Sequence, residues 1–197
     1  MHLGQGYRKV DGMLPITPDE LKICPAFRGL SDPDFKQLVV CMSRRYLAHA
    51  GMVLFENEVD SDAAYVIQSG ILVAEMPVEG GVAVEMAKMG PGAVVGELCL
   101  IRGGPRSLRV KAISEAYLIR IDREKFVDLR RAKNSAAYTV IRNICLTMCD
   151  RLRKSNEFIE RELRHETPMA ADFTSTSEES LAERARTYLS KLFGRGS

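Results

Sequence analysis

The most specific pattern in the sequence reads Gly96-Glu97-Leu98-Cys99-Leu100-Ile101-Arg102-Gly103-Gly104-Pro105-Arg106-Ser107. The segments on both sides have the apolar character of strands, and the stretch itself contains a glycine turn and a short helical turn. Backbone N–H groups at the start of a helical turn point toward an anion, and the helix dipole favours negative charge there. The stretch therefore predicts a loop between two strands that receives the anionic end of a small molecule.

Two side chains of this stretch extend the prediction from an anion to a sugar phosphate. The guanidinium of Arg106 can donate two parallel hydrogen bonds to phosphate oxygens. The carboxylate of Glu97 accepts hydrogen bonds, and a ribose 2′-OH is a natural donor for it. The alternatives are an ordinary surface arginine at Arg106 and, at Glu97, a carboxylate that only caps the helical turn.

The other members of the predicted site are Gly96, Leu98, Cys99 and Ser107. The first three are expected to contribute backbone groups, although core packing explains Leu98 as well. The Ser107 hydroxyl can bind phosphate or the exocyclic amine of a guanine base, or it is an ordinary strand serine. We predict no catalytic residue and no metal ligand, because the sequence offers no acid–base pair, activated nucleophile or metal-binding motif.

The composition is that of a chain able to bury a core. Its 197 residues are 46% hydrophobic and 27% charged, which suits one domain with appendages. The net charge of +2, from 28 basic and 26 acidic residues, lacks the basic excess typical of nucleic-acid binders. Five cysteines without framework spacing indicate reduced thiols in a cytoplasmic protein. No apolar run approaches the ~18 residues of a transmembrane helix, so no membrane segment is predicted.

The N-terminal part is predicted to hold a flexible arm and two helices. Residues 1–16 are mixed in character and contain three glycines, so we assign them to the arm. A capping signal at Thr17-Pro18 predicts a short helix. A second signal at Ser31-Asp32-Pro33 predicts a longer helix from Asp34 to Arg44. The arginine pairs Arg44-Arg45 and Arg130-Arg131 are expected on solvated faces.

Residues 17–133 are predicted to form an α+β domain. Short apolar segments separated by glycine turns follow one another from Tyr46 to Ile121, which is typical of an antiparallel β-roll or barrel. Asp122 then caps a helix that runs to about Lys133. Helices flank the strands on both sides in the sequence, so the roll is expected to have a helical layer.

The stretch from Gly96 to Ser107 resembles the phosphate-binding cassette of cyclic nucleotide-binding domains. That family includes the catabolite activator protein and the regulatory subunits of cyclic AMP-dependent kinase. The match consists of Gly96-Glu97-Leu98-Cys99-Leu100 and Pro105-Arg106-Ser107 at the family's usual spacing. It extends over roughly Leu21 to Leu129 through Ala50-Gly51, Leu54-Phe55, Asp62, Tyr65-Val66-Ile67, Ser69-Gly70 and Gly90-Pro91-Gly92.

The resemblance implies a jelly-roll-like β-roll whose ligand is cAMP or cGMP, with no cofactor. It assigns ligand binding to Gly96, Glu97, Leu98, Cys99, Arg106 and Ser107. Two positions depart from the family pattern. Val95 replaces the aromatic residue that is common before Gly96. Glu58 falls where the family usually has a glycine, and it is expected to need a backbone conformation different from the positive φ of that glycine.

Residues 134–166 are predicted to form a long helix that dimerises and covers the pocket. Apolar residues alternate in steps of four and three, which is a heptad pattern. The pattern consists of Ile141, Cys145, Met148, Leu152, Ser155 and Ile159. By resemblance to the catabolite activator protein, Ser155 and Asn156 are weaker candidates for contacts to the base. The alternative for Ser155 is a polar residue that sets the register of a helix pair.

Residues 167–197 are predicted to be a polar linker and a short terminal helix from Glu178 to Phe193. No recognition helix of a helix-turn-helix domain is visible, so DNA binding by this chain alone is not expected. The leading hypothesis is a sensor in which cyclic nucleotide binding rearranges helices and signals to an unknown effector. The alternatives are a transcription regulator that acts through a partner and a protein-interaction domain that has lost its ligand.

Overall fold

The computed structural model describes residues 8–9, 15–47, 49–77 and 83–165. The strands are β1 (Arg8–Lys9), β2 (Met42–Leu47), β3 (Val53–Phe55), β4 (Ala63–Ser69), β5 (Leu72–Pro77), β6 (Ala83–Met89), β7 (Val94–Val95), β8 (Arg109–Ala112) and β9 (Ala116–Asp122). The helices are α1 (Pro18–Leu21), α2 (Asp32–Leu38), α3 (Leu98–Ile101), α4 (Arg123–Arg131) and α5 (Ser135–His165). The predicted flexible arm lies mostly outside these residues, and the predicted helix from Glu178 to Phe193 lies wholly outside them.

The strands form two antiparallel sheets. One sheet has the order β1-β2-β9-β4-β7 and the other has the order β3-β8-β5-β6. All strand pairings within the two sheets are antiparallel. The predicted antiparallel β-roll with flanking helices is therefore confirmed.

Strands β4 and β9 are buried on both faces, and this explains their nearly continuous apolar sequence. Successive side chains of a strand point to opposite faces of its sheet. Ala64 and Val66 of β4 therefore face the helices, whereas Tyr65 and Ile67 pack between the two sheets. The two faces create two adjacent cores, one under the helices and one inside the roll.

Helix α2 ends earlier than the sequence predicts. The predicted helix from Asp34 to Arg44 is wrong at its C-terminal end, because α2 stops at Leu38 and a 3₁₀ turn occupies Val39–Cys41. Strand β2 begins at Met42, which pairs with Ile121 of β9. The long antiparallel ladder with β9 outweighs the helical spacing of the apolar residues in this segment.

Arg44 connects the N-terminal helix to the sheet. Its guanidinium donates hydrogen bonds to both carboxylate oxygens of Glu20, at 2.7 and 2.9 Å, and the Gln68 amide also donates to Glu20. The hydrogen bonds from Arg44 lower the pKa of Glu20 to about 2. The expected solvated position of Arg44 is therefore wrong, since Arg44 is largely buried in this network.

Helix α5 follows α4 after a short break. Lys133 has a positive φ of 57°, and the Asn134 side chain accepts a hydrogen bond from the backbone N–H of Ala137 at 3.1 Å. The first turns of α5 pack on the helical core through Ala136, Ala137, Val140 and Ile144. Among the helices that the structure describes, none is both long and apolar enough to cross a membrane.

The predicted heptad residues of α5 divide between two environments. Ile141 and Met148 pack against the core of their own chain. Cys145 is exposed, and Leu152 is 63% exposed. The side chains of Ser155 and Ile159 are outside the described part of the molecule. The exposed positions leave an apolar face on α5, but part of the predicted seam belongs to the intramolecular core.

Candidate functional site

A cavity of about 230 Å³ opens inside the roll beside α3. All six residues of the principal predicted site line it: Gly96, Glu97, Leu98, Cys99, Arg106 and Ser107. Its other wall is mostly apolar and comes from the second sheet, through residues that include Ala74, Ala87, Met89, Leu108 and Val110. The cavity thus combines a polar end with an apolar end, as sites for small organic anions do.

The guanidinium of Arg106 lies at the polar end of the cavity and is almost fully buried, with 6% of the residue exposed. It donates hydrogen bonds to two backbone carbonyls, Gly96 O at 3.3 Å and Ala63 O at 2.5 Å. Its central carbon lies 4.0 Å from the centre of the Phe55 ring. These contacts fix the direction of the guanidinium, and a buried cation at a cavity wall attracts an anion strongly because the local dielectric is low.

Two carboxylates lie near the ends of this arrangement. Asp62 Oδ1 is 3.7 Å from Arg106 Nη2, while the other oxygen of Asp62 accepts a hydrogen bond from Arg120 at 2.8 Å. Glu97 stands at the start of α3 and is the only carboxylate among the residues that line the cavity. The polar end of the cavity therefore places one hydrogen-bond acceptor beside one buried cation.

Helix α5 contributes a residue to the cavity that the sequence reasoning missed. Arg151 lines the cavity, and its Nη1 donates a hydrogen bond to Oε1 of Glu97 at 3.3 Å. The weaker candidate Asn156 is exposed and does not line the cavity, and the side chain of Ser155 is not described. Arg151 precedes Ser155 by about one helical turn, so the predicted region of α5 lies close to the site.

The thiol of Cys99 also faces the cavity. Burial raises its pKa to about 11, so the thiol is protonated at neutral pH. A neutral thiol adds no negative charge beside Arg106, which keeps the anion site positive. Among the described residues, no group of three or more histidine, cysteine or acidic side chains is arranged to hold a metal ion.

The family profile of the cyclic nucleotide-binding domain matches residues 45–133. This part of the chain belongs to the cyclic nucleotide-binding domain family. The profile covers the strands from β3 to β9, the cassette and α4. The predicted resemblance is therefore confirmed for the segment that carries the cavity.

Individual relatives agree with this assignment. An uncharacterized NTE family protein of Mycobacterium tuberculosis is 33% identical over 112 residues, or 57% of this chain and 18% of that protein. The cyclic AMP receptor protein of Thermus thermophilus is 28% identical over 136 residues, or 69% of this chain and 61% of that protein. The N-terminal domain of a Streptomyces coelicolor transcriptional regulator has a TM-score of 0.58 and 25% identity, covering 81% of this chain and 100% of that one. The chain thus spans only about a fifth of the mycobacterial relative.

The cyclic nucleotide-binding domain holds its cassette helix from the C-terminal end. Arg123 of α4 donates to Cys99 O at 3.2 Å, and Arg130 donates to Ile101 O at 2.7 Å. Carbonyls at a helix C-terminus lack partners within the helix, and cationic donors satisfy them well. The solvated position expected for Arg130 is therefore wrong, whereas Arg131 is exposed as expected, with 76% of its side chain accessible.

The loop before β4 pairs with the backbone of Arg106. The N–H of Glu58 donates to Arg106 O, and the N–H of Arg106 donates to Val59 O, both at 2.8 Å. Glu58 has a φ of 59°, so it adopts the left-handed conformation itself. The expectation that Glu58 needs a different conformation from the family's glycine is wrong. The two hydrogen bonds to Arg106 hold it there at a strain cost of about 1 kcal/mol.

Proposed function

We propose that the cyclic nucleotide-binding domain of this chain binds cAMP or cGMP and acts as a sensor or regulatory module without catalysis. The observation that carries the proposal is the buried guanidinium of Arg106, which lines the cavity beside the start of α3. A cyclic phosphodiester has one negative charge, and the ionisable lining residues Glu97, Arg106 and Arg151 sum to one positive charge. Electrostatic complementarity therefore favours a monoanion.

The proposed pose follows from the two ends of the cavity. The phosphate lies between Arg106 and the N–H groups at the start of α3, with the backbone of Gly96, Leu98 and Cys99 around it. A 3′,5′-cyclic phosphate leaves the ribose 2′-OH free, so this hydroxyl can donate to Glu97. The apolar wall from the second sheet then packs against the purine. Ser107 lies where its hydroxyl can bind the phosphate or the exocyclic amine of guanine.

The relatives support cAMP more directly than cGMP. The protein from Thermus thermophilus is named a cyclic AMP receptor protein, and it is similar to this chain over 69% of the chain's length. Ser107 leaves cGMP as the second candidate ligand. A comparison of the two nucleotides on the same protein distinguishes these ligands.

The signal proposed for this domain is a rearrangement of α4 and α5. Ligand binding at α3 is expected to move the carbonyls of Cys99 and Ile101, which Arg123 and Arg130 of α4 hold. A ligand shifts such an equilibrium only by its difference in affinity for the two arrangements. We place the domain boundary of this unit at residues 17–133, with 134–166 as the helix that receives the signal and 167–197 as a linker and short terminal helix.

The proposed assembly is a homodimer through residues 136–164. Exposed apolar side chains on α5 support it, namely Tyr138, Leu146 and Leu152. A Leu152→Glu variant should sediment as a monomer, and an Arg153→Glu variant, which changes an exposed neighbour, should remain dimeric. A Leu152→Glu protein that stays as dimeric as the wild type would contradict this assembly.

A cytoplasmic location and an unknown effector protein complete the proposal. All five cysteines are free, which agrees with a reducing compartment. A transcription regulator that works through a partner is the second candidate, because the Streptomyces coelicolor neighbour is the N-terminal domain of a transcriptional regulator. Sequence-selective, salt-sensitive DNA binding by the chain alone in a gel-shift assay would overturn the expectation that DNA binding requires a partner.

Thermal unfolding with and without nucleotide tests the ligand proposal. Saturation at about 100 times Kd should stabilise the protein by roughly 2.7 kcal/mol, whereas 5′-AMP, a dianion at neutral pH, should give a much smaller shift. Absence of a shift with both cAMP and cGMP would refute the sensor and leave the interaction domain without ligand as the remaining hypothesis.

A further inference from the structure

Helix α5 presents one line of residues to the roll, and the line ends at Arg151. Ala137, Val140 and Ile144 are buried, and Met148 is packed against the same core. Arg151 follows Met148 by three residues, so it lies on the same face of the helix. Every later side chain that the structure describes on α5 is exposed. Arg151 is thus the point at which the packed face of α5 reaches the ligand cavity.

The partner of Arg151 in the cavity is the residue proposed to bind ribose. Nη1 of Arg151 is 3.3 Å from Oε1 of Glu97, with 31% and 18% of the two side chains exposed. A pair at this depth is screened less than a surface ion pair. The two residues are 54 positions apart, so their contact joins the cassette to the end of the packed face of α5.

The chemistry of the carboxylate allows Glu97 to bind Arg151 and a ligand together. An ionised carboxylate has two oxygens and about four acceptor positions. Arg151 occupies one position on Oε1, and the other oxygen can accept a hydrogen bond from a hydroxyl. A rigid orientation matters here because hydrogen bonds weaken steeply when the donor and acceptor are misaligned. Arg151 supplies that orientation from outside the cassette.

We propose that Arg151 is the positioning residue for Glu97, and that this pair ties recognition of the ribose 2′-OH to the docking of α5 on the roll. The inference rests on the proposed function, since it concerns how the same cavity distinguishes a ribonucleotide from its 2′-deoxy analogue. Ligand binding that orders Glu97 also holds Arg151, and with it the last packed turn of α5. Loss of Arg151 leaves the phosphate site intact but lets the Glu97 carboxylate rotate.

The test compares Kd values for the cyclic ribonucleotide and its 2′-deoxy analogue by isothermal titration calorimetry. The quantity of interest is the ratio of the two Kd values, because loss of positive charge alone weakens both ligands. In Arg151→Gln this ratio should fall about tenfold relative to wild type, and Arg151→Lys, which keeps the charge, should keep part of it. Arg153→Gln is the matched control, because Arg153 pairs with Asp150 on the exposed side of α5 and should leave the ratio unchanged.

A second set of variants separates positioning from folding. Glu97→Gln should abolish the preference for the ribonucleotide, and adding Arg151→Gln to it should change the ratio no further. Hydrogen exchange of α5 around residues 148–154 should slow more with the ribonucleotide than with the deoxy analogue, and this difference should vanish in Arg151→Gln. Nucleotide binding by wild type with an unchanged ratio in Arg151→Gln overturns the inference alone. No binding of either nucleotide to wild type overturns the proposed function and the inference with it.

Discussion

Arg106 occupies the space that a side chain at Gly96 would need. A Cβ atom built on Gly96 would overlap Nη1 of Arg106, and the φ of +69° at Gly96 is itself unfavourable for other residues. The guanidinium donates to the carbonyl of the same glycine. The first residue of the cassette and its arginine are therefore parts of one anion site, and neither can change without the other.

Gly96→Ala should damage both the fold and the site. The positive φ should cost about 1–2 kcal/mol of unfolding free energy, and the methyl group should displace Arg106 and weaken nucleotide binding. Gly90→Ala is the control, because a Cβ there meets nothing within 4 Å and φ is not positive. Denaturant unfolding and a binding titration measure the two effects. Equal stability and affinity in the two variants would contradict the proposed coupling of Gly96 and Arg106.

Glu58→Gly should stabilise the protein. Glycine adopts the φ of 59° without strain, and the gain should exceed the added entropy of the unfolded chain by about 0.5–1 kcal/mol. The neighbouring Asn57→Gly is the control, because Asn57 does not have a positive φ and glycine should only destabilise there. Urea midpoints of the two variants give the comparison. A loss of stability in Glu58→Gly would show that the Glu58 side chain has a role beyond the loop.

The Glu20–Arg44 pair should make stability depend on pH in the acid range. The pKa of Glu20 falls from 4.5 in its ordinary state to about 2 in the folded protein. The stabilising contribution is therefore full above about pH 4.5 and is lost as pH falls toward about 2. Solvent screening limits it to about 1 kcal/mol. The difference in unfolding free energy between wild type and Glu20→Gln should shrink over this window, and a constant difference would contradict the assignment.

Arg130→Ala should loosen the link between the cassette and α4. The carbonyls of Leu100 and Ile101 would lose a charged donor, at a cost of about 1–3 kcal/mol. Arg131→Ala is a close control, because Arg131 is exposed and pairs only weakly with Asp128 on the surface. Nucleotide should still protect α3 from hydrogen exchange in Arg130→Ala, but protection of α4 should fall. Unchanged protection of α4 would show that the signal takes another route.

Local patterns in the sequence were sufficient to predict the cassette and most of the strands. Each strand lies between glycine turns, and the spacing from Glu97 to Arg106 is set by one helical turn and one glycine turn. The end of α2 was not predictable in this way, because the segment after Leu38 has apolar residues at helical spacing. Its conformation depends on the ladder between Met42 and Ile121, which are far apart in the sequence.

The arginines show the same limit for the site. Arg44 and Arg130 each stand in a pair of arginines, which is typical of a solvated face, yet their partners come from distant segments. Arg151 had one usable signal, because it continues the packed face of α5 beyond Met148. A cation at the end of an apolar helical face indicates contact with a polar site, but the identity of Glu97 as its partner required the folded structure.

Calorimetric titration with cAMP and with cGMP, using wild type, Arg106→Lys and Arg102→Ala, tests the central claim most directly. The account predicts one saturable site per chain for at least one nucleotide. Arg106→Lys should bind more weakly by at least about tenfold, because lysine lacks the planar fork, and Arg102→Ala, outside the cavity lining, should bind as wild type does. No binding by wild type, or undiminished binding by Arg106→Lys, would contradict the account.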